Sequence, residues 1–248
     1  MRIVGLLAAV CLVVGGCAAE DAKDTVDTGA VPRSSPSPSL DPAGRLDAAV
    51  AANLRVPFQF KLSGPGMPAG ALSGVADPPG GVLDLKATFS TELAVDYFRD
   101  GSGLYVKMSG FEDINPDSAS WFKADPAKLT GDDFISVVDP QNPMQLRDIV
   151  AATNAVHEAG PGQLAGTLDP KKLKGPLIEE QDQAAAVPVT VTLDTEGHLT
   201  KLTLDSPDGG SLSLEFEQFG QALDVTAPTA DATKPMPDEM YQALNADN

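Results

Sequence analysis

The feature that most constrains the fold is a period-two alternation of apolar and polar residues, which recurs in short segments. In FQFKLS, for example, Phe58, Phe60 and Leu62 alternate with polar residues. Successive side chains of a strand point to opposite faces, so this pattern predicts strands with one buried and one solvent-exposed face. Turn signals such as DPPGG and RDGSG separate the segments, as is typical of an antiparallel meander. Further strands are predicted in VLDLKATF, ELAVDYF, LYVKMS, SWFKAD, AVHEAG, GQLAGTLD, VPVTVTLD, HLTKLTLDS and SLSLEFEQFG.

Three other segments have apolar residues at helical spacing. Residues 45–55 predict a helix that leads into the domain, with Asp41 as its N-cap. Residues 142–154 predict an amphipathic helix with Asn142 as cap and Pro143 in the first turn. A third helix is predicted at 176–186. Strands, a helical insert and further strands together predict an α+β fold: a single antiparallel sheet with helices packed on one face.

The N-terminus is predicted to be an export signal. Arg2 is followed by an uncharged run of fourteen residues, 3–16, which is shorter than the roughly 20 residues that span a membrane. Val14-Gly15-Gly16-Cys17 fits the lipobox of bacterial lipoproteins, in which the peptide bond before the cysteine is cut and its thiol is diacylated. We therefore expect a signal peptide at 1–16 and a lipidated Cys17 on the extracytoplasmic face of the cell membrane. The alternative is an ordinary signal peptide with an incidental cysteine.

The segment that follows is predicted to be a tether. Residues 17–42 show no hydrophobic periodicity and include VPRSSPSPSLDP, a composition that cannot bury enough surface to offset chain entropy. Cys11 lies inside the signal, so a disulfide with Cys17 is not expected. An exported domain without a cysteine pair has to be stabilised by its apolar core.

The charge of the chain argues against several partners. The formal net charge is −18, from 35 acidic and 17 basic residues. Such a chain repels phosphate backbones and anionic membrane surfaces, so nucleic acid is a poor partner and membrane attachment has to come from acyl chains.

The sequence does not indicate an enzyme. It has two histidines, His157 and His198, and no cysteine beyond Cys17, so neither a zinc cluster nor a Cys/His nucleophile is expected. His198 follows a Glu-Gly turn and is predicted to be an exposed hairpin residue, and His157 is predicted to be structural. We expect no catalytic residues, no metal and no cofactor.

The order of these segments resembles a known family. It runs from lipobox and Ser/Pro tether through an entry helix, a strand meander, a WFK strand and a helical insert to a terminal hairpin, VTLDTEGHLTKLTL…LEFEQFGQALDVTAP. This order is similar to that of the LppX/LprG-type lipoproteins of actinobacterial envelopes, relatives of the LolA/LolB-like carriers. The resemblance covers about residues 43–228, and residues 229–248 are expected to be an extended tail in which DEMYQALNA could form a frayed helix.

The resemblance implies a curved antiparallel half-barrel with helices on its concave face and an apolar cavity for the acyl chains of envelope lipids. The function it implies is that of an anchored, monomeric lipoprotein that binds and carries lipids or lipidated molecules. Sequence alone leaves open whether the interior is a cavity or is filled, and an envelope scaffold lipoprotein with a filled core is the alternative. The apolar face is expected to bind the ligand through Phe58, Phe60, Leu83, Leu85, Phe89, Val95, Val106, Met108, Leu146, Ile149, Val191, Leu214 and Phe216.

Overall fold

The computed structural model of the 248-residue chain describes residues 40–65, 67, 71–110, 117–129, 138–173, 186–205, 210–223 and 225–245. Residues 40–248 form one compact unit, distinct from residues 1–39. The signal, Cys17, most of the tether and residues 176–185 of the third predicted helix lie outside the described residues.

Twelve described strands form one sheet. They are β1 (Phe58–Ser63), β2 (Leu72–Asp77), β3 (Val82–Thr88), β4 (Ala94–Asp100), β5 (Gly103–Ser109), β6 (Trp121–Ala124), β7 (Thr153–Gly160), β8 (Gln163–Leu168), β9 (Val187–Leu193), β10 (Leu199–Asp205), β11 (Ser211–Glu217) and β12 (Thr233–Pro235). The described helices are α1 (Pro42–Asn53), α2 (Leu146–Ala152) and α3 (Asp238–Asn245), with short 3₁₀ turns at Pro126–Lys128, Pro143–Gln145, Pro170–Lys172 and Ala230–Ala232.

The strand order is β12-β6-β5-β4-β3-β2-β1-β11-β10-β9-β8-β7. Strands β1 to β6 form one antiparallel meander, and β7 to β11 form a second. The β1–β11 pair joins the two meanders, and β12 pairs with β6 in parallel. The predicted α+β class with one curved antiparallel sheet is confirmed, and the sheet is unclosed because β12 and β7 are its two edges.

Asp41 caps helix α1 as predicted, but the helix begins at Pro42 and ends at Asn53, earlier at both ends than the predicted 45–55. The Asp41 carboxylate accepts a hydrogen bond from the Gly44 N–H at 2.7 Å, and Pro42 occupies the first turn. At the other end, Asn53 is 0% exposed; its amide donates to the Leu199 carbonyl at 2.8 Å and accepts from the Leu199 N–H at 3.0 Å. This pair of bonds fixes the end of α1 on β10 without leaving the buried amide unsatisfied.

Helix α2 begins three residues later than predicted. Met144 and Gln145 have positive φ angles, 56° and 54°, so the backbone cannot continue as a helix from Pro143. Asn142 still serves the predicted capping role, because its side-chain oxygen accepts a hydrogen bond from the Arg147 N–H at 2.9 Å.

The segment after residue 229 is part of the fold, which corrects the expectation of an extended tail. Strand β12 extends the sheet beyond β6, and α3 follows it. Met236, Met240 and Tyr241 are buried in the same apolar cluster as the sheet residues, with Met240 0% exposed. Their burial explains why the segment is ordered despite Pro235 and Pro237.

Candidate functional site

The apolar residues predicted to bind the ligand come from the strands and from α2, and almost all of them lie together in the core. Twelve of the thirteen are buried in one hydrophobic cluster. Strand register produces this arrangement, because Phe60 lies opposite Phe216 on β11 and Leu85 lies opposite Tyr97 on β4. The twelve residues are Phe58, Phe60, Leu83, Leu85, Val95, Val106, Met108, Leu146, Ile149, Val191, Leu214 and Phe216.

Phe89 is the exception, and its predicted inward orientation is wrong. Strand β3 ends at Thr88, so the alternation of faces stops one residue before Phe89. The Phe89 N–H instead donates to the Leu93 carbonyl in the turn toward β4, and the side chain is 59% exposed.

Aromatic rings line the centre of the surface, where the two meanders meet. The Phe58 ring lies 5.7 Å from the Phe216 ring in an edge-to-face arrangement, and 6.3 Å from the rings of Phe60 and Phe219. Phe219 was not among the predicted contact residues, because the predicted strand SLSLEFEQFG places it on the polar face with Glu215 and Glu217, whereas β11 ends at Glu217.

His198 also differs from its prediction. Its ring stacks on the Phe219 ring at 4.5 Å with an interplanar angle of 6°, and its side chain is only 16% exposed. Asp194 accepts hydrogen bonds from the His198 N–H at 2.8 Å and contacts its ring Nδ1 at 3.2 Å. His198 therefore stabilises the β9–β10 turn against Phe219 rather than lying free on a hairpin. His157, in contrast, is exposed on the edge strand β7.

Helices α1 and α2 cover this apolar face of the sheet. Leu46, Ala49 and Val50 of α1 and Leu146 and Ile149 of α2 are buried in the cluster with the sheet residues. Among the residues that the structure describes, this cover is small for a twelve-stranded sheet, because α1 has 12 residues and α2 has 7.

A cleft of about 370 Å³ opens between the two helices. Its apolar lining includes Val50 and Leu54 of the α1 end and Val150 of α2. Asp47, Arg55 and Arg147 also line it, and neither arginine has a carboxylate within ion-pair distance among the residues described. Pockets of about 300–1,000 Å³ are typical of small-ligand sites. We call this space the α1–α2 cleft.

A second, larger pocket of about 760 Å³ lies at the β6–β12 edge of the sheet. Tyr105 and Tyr241 line it, together with Lys123, Lys128 and Met236. Sequence reasoning missed this pocket because the C-terminal segment, which forms one side of it, was expected to be extended. In the predicted strand LYVKMS, Tyr105 alternates with Leu104 and Val106 and is therefore expected on the solvent-exposed face. The structure instead buries it against Phe98, with ring centroids 6.0 Å apart. We call this space the edge pocket.

The apolar surface has few ionisable groups. Burial raises the pKa of the Tyr97 hydroxyl, so the group is neutral at physiological pH. On the other face of the sheet, partial burial raises the pKa of Asp84, and the neighbouring Asp96 carboxylate adds to the effect. The described residues contain no cluster of three His, Cys, Asp or Glu side chains that could hold a metal ion. Among the same residues, no helix is long and apolar enough to cross a membrane.

The fold has counterparts among solved structures. LprF from Mycobacterium bovis aligns with a TM-score of 0.50 at 15% identity, covering 78% of this chain and 100% of its own. The Mycobacterium tuberculosis lipoprotein LppX aligns with a TM-score of 0.48 at 14% identity, covering 75% and 98%. A LolA superfamily protein from Nitrosomonas europaea aligns with a TM-score of 0.23 at 9% identity, covering 82% and 98%.

Sequence comparison adds nothing to these structural likenesses: no protein-family model and no curated protein matches the chain. At 15% identity the likeness to LprF is one of fold alone. The chain therefore has the fold of LprF, and its resemblance to the LppX/LprG-type lipoproteins is confirmed as a resemblance of fold.

Proposed function

We propose that the protein is a membrane-anchored envelope lipoprotein that binds the acyl chains of lipids between its sheet and its helices, and carries them. The observation that supports this most directly is a continuous apolar face of the sheet under a cover of two short helices, with the α1–α2 cleft between them. The fold shared with LprF agrees with the proposal.

The binding step involves no making or breaking of covalent bonds. An acyl chain that leaves the membrane and enters an apolar site gains about 0.8 kcal/mol for each methylene buried. The α1–α2 cleft is lined by Val50, Leu54 and Val150 for contact with such a chain. Asp47, Arg55 and Arg147 also line it, and the two guanidinium groups would pair with an anionic headgroup. The cleft would then be the entrance, with α2 as the movable side.

Filling the cleft tests the proposal. Ala51 lines the cleft, whereas Ala48, on the same helix, is exposed and lies outside it. In residues 40–248 purified from a bacterial host, Ala51→Trp is expected to reduce co-purifying lipid at least several-fold by extraction and mass spectrometry, because an indole occupies the entrance. Ala48→Trp, the matched control, is expected to retain it. Unmodified protein that contains no lipid and takes up none from vesicles would contradict the proposal.

The anchor is tested separately with the two cysteines. Cys17→Ser in the full chain is expected to remove the protein from the detergent phase, because the thiol is the acyl acceptor. Its mass spectrum is expected to lack the added mass of a diacylglyceryl group. Cys11→Ser, which changes a residue inside the predicted signal, is expected to leave both unchanged. Lipidation that persists in Cys17→Ser would contradict the assignment.

The alternative function is an envelope scaffold lipoprotein with a filled core, and the irregularity of the edge strand β7 counts only against its binding a partner through that edge. The edge strand β7 has register irregularities between Asn154 and His157 and between Glu158 and Gly160, and Ala155 has a φ of 53°. Bulges and a left-handed residue make an edge a poor template for an added strand.

A further inference from the structure

The edge pocket differs from the rest of this acidic chain in charge. Three lysines, Lys123, Lys128 and Lys234, line it together with a single carboxylate, Asp125. Across the whole chain, acidic residues outnumber basic ones by 35 to 17. Among the lining residues, basic side chains therefore outnumber acidic ones, which is the reverse of the chain as a whole.

Two of these lysines are held against aromatic rings. The Lys123 ammonium lies 5.4 Å from the centroid of the Tyr105 ring, and the Lys128 ammonium lies 5.1 Å from that of Tyr241. Both rings are buried, and both line the pocket. Each pair thus presents an apolar surface and a positive charge side by side.

The lysines differ in how far they are already neutralised. Lys128 forms an ion pair with Asp238 at 2.8 Å, and Lys234 forms one with Asp117. Lys123 has no carboxylate within ion-pair distance among the residues described, and its side chain is exposed on β6. Lys123 is therefore the cation that a bound anion would meet first.

The remaining lining of the pocket is apolar. Ala124, Pro228, Pro235 and Met236 contribute to it, and the pocket volume falls in the range of small-ligand sites. A free inorganic anion would leave this apolar surface unused, and an uncharged chain would make no use of the charge of the Lys123 ammonium.

We propose that the edge pocket is a second binding site, separate from the α1–α2 cleft, which takes a fatty-acid-like anion: an acyl chain with a single anionic headgroup. The chain packs against Tyr105, Tyr241 and Met236, and the headgroup pairs with Lys123. The C-terminal segment is thus one side of a ligand site and not only an extension of the sheet.

The only tryptophan of the chain provides the measurement. Trp121 lies opposite Thr233 in the β6–β12 ladder, and Thr233 lines the pocket. In residues 40–248, titration with dodecanoate below its micellar concentration is expected to change the Trp121 emission with saturation. Dodecanol, which has the same chain without the charge, and inorganic phosphate, which has charge without a chain, are expected to produce no saturable change.

Variants locate the binding. Lys123→Gln is expected to raise the Kd for dodecanoate about tenfold, which corresponds to the loss of about 1.4 kcal/mol. Lys123→Gln combined with Lys128→Gln should raise it further. Lys201→Gln, which removes a lysine from the distant strand β10, is the control and should leave the Kd unchanged. Because Lys123 is exposed, its substitution should leave the unfolding temperature unchanged.

Three results would overturn the proposal. One is a dodecanoate Kd that is equal in Lys123→Gln and Lys201→Gln. Another is dodecanol binding as tight as dodecanoate, and the third is an absence of any saturable dodecanoate signal. The variant Ala51→Trp, which blocks the α1–α2 cleft, distinguishes the two sites. Calorimetry should still detect dodecanoate binding at the edge pocket of this variant, whether or not the cleft binds lipid.

Discussion

Gly74 shows how a single absent side chain permits the packing of the apolar surface. A Cβ atom at this position of β2 would lie 2.4 Å from the Asp84 carbonyl oxygen and 2.7 Å from Cζ of the Phe60 ring. Neither distance is compatible with van der Waals contact. Glycine is therefore required here for close approach and not for an unusual backbone angle.

We expect Gly74→Ala to lower the free energy of unfolding by about 1–3 kcal/mol, because the Phe60 ring and β3 would have to move. Urea denaturation measures the loss. Gly101→Ala is the matched control, since a Cβ atom there has no heavy atom within 4 Å, and its effect should stay within about 0.5 kcal/mol. Equal stabilities of the two variants would contradict this account.

The same residue explains a strand that the sequence did not reveal. Strand β2, LSGVAD, has a glycine and an alanine at positions where an alternating pattern needs large apolar groups, and most of its residues are half-buried. Phe60 covers the space above Gly74, so the apolar contact that β2 needs comes from a neighbouring strand. Single-sequence periodicity records only the side chains of the strand itself.

At the scale of elements, the strands with large alternating residues were predicted within a few positions, and the irregular elements were not. FQFKLS coincides with β1, and VPVTVTLD extends one residue beyond β9. Strand β12, TKP, has three residues and a proline, and it is a strand only because β6 offers a free edge. Tertiary pairing of this kind leaves no local signal.

The attachment of this C-terminal segment should depend on pH. Lys234 donates a hydrogen bond to the Asp117 carboxylate, as does Ser120, and these contacts lower the pKa of Asp117 from 3.8 to about 2. Because the folded pKa is below the unfolded value, the stabilisation is present above pH 3.8 and is lost as the pH falls through about 2.

The Met236 N–H donates to the Lys123 carbonyl beside this ion pair. We therefore expect its protection factor, the ratio of the intrinsic to the observed hydrogen-exchange rate at each pH, to fall between pH 3.8 and about 2. Asp117→Asn should show the faster exchange already at pH 5, with no further change on acidification. Asp205→Asn makes the same charge change on β10 and should behave as the unmodified protein. Unaltered protection in Asp117→Asn would contradict the role of this pair.

At the scale of the whole molecule, the sheet class and the apolar face followed from the sequence, whereas the pockets did not. Twelve of the predicted contact residues share one cluster, because alternation determines the face on which a strand residue lies. The α1–α2 cleft and the edge pocket depend on where helices end and on how the C-terminal segment returns to β6. These are distances between elements remote in sequence, and no local pattern specifies them.

The joining of two meanders through β1 and β11 has a consequence for the order in which the chain can assemble. Within each meander every strand pairs with its neighbour in sequence, and most of these pairs close short loops at a small entropic cost. The β1–β11 pair, by contrast, brings Phe60 to Phe216 across most of the domain. Pairings of such large sequence separation slow folding. A chain that emerges N-terminus first can complete its first meander early. The edge of β1 that pairs with β11 then stays unpaired until β11 has been synthesised.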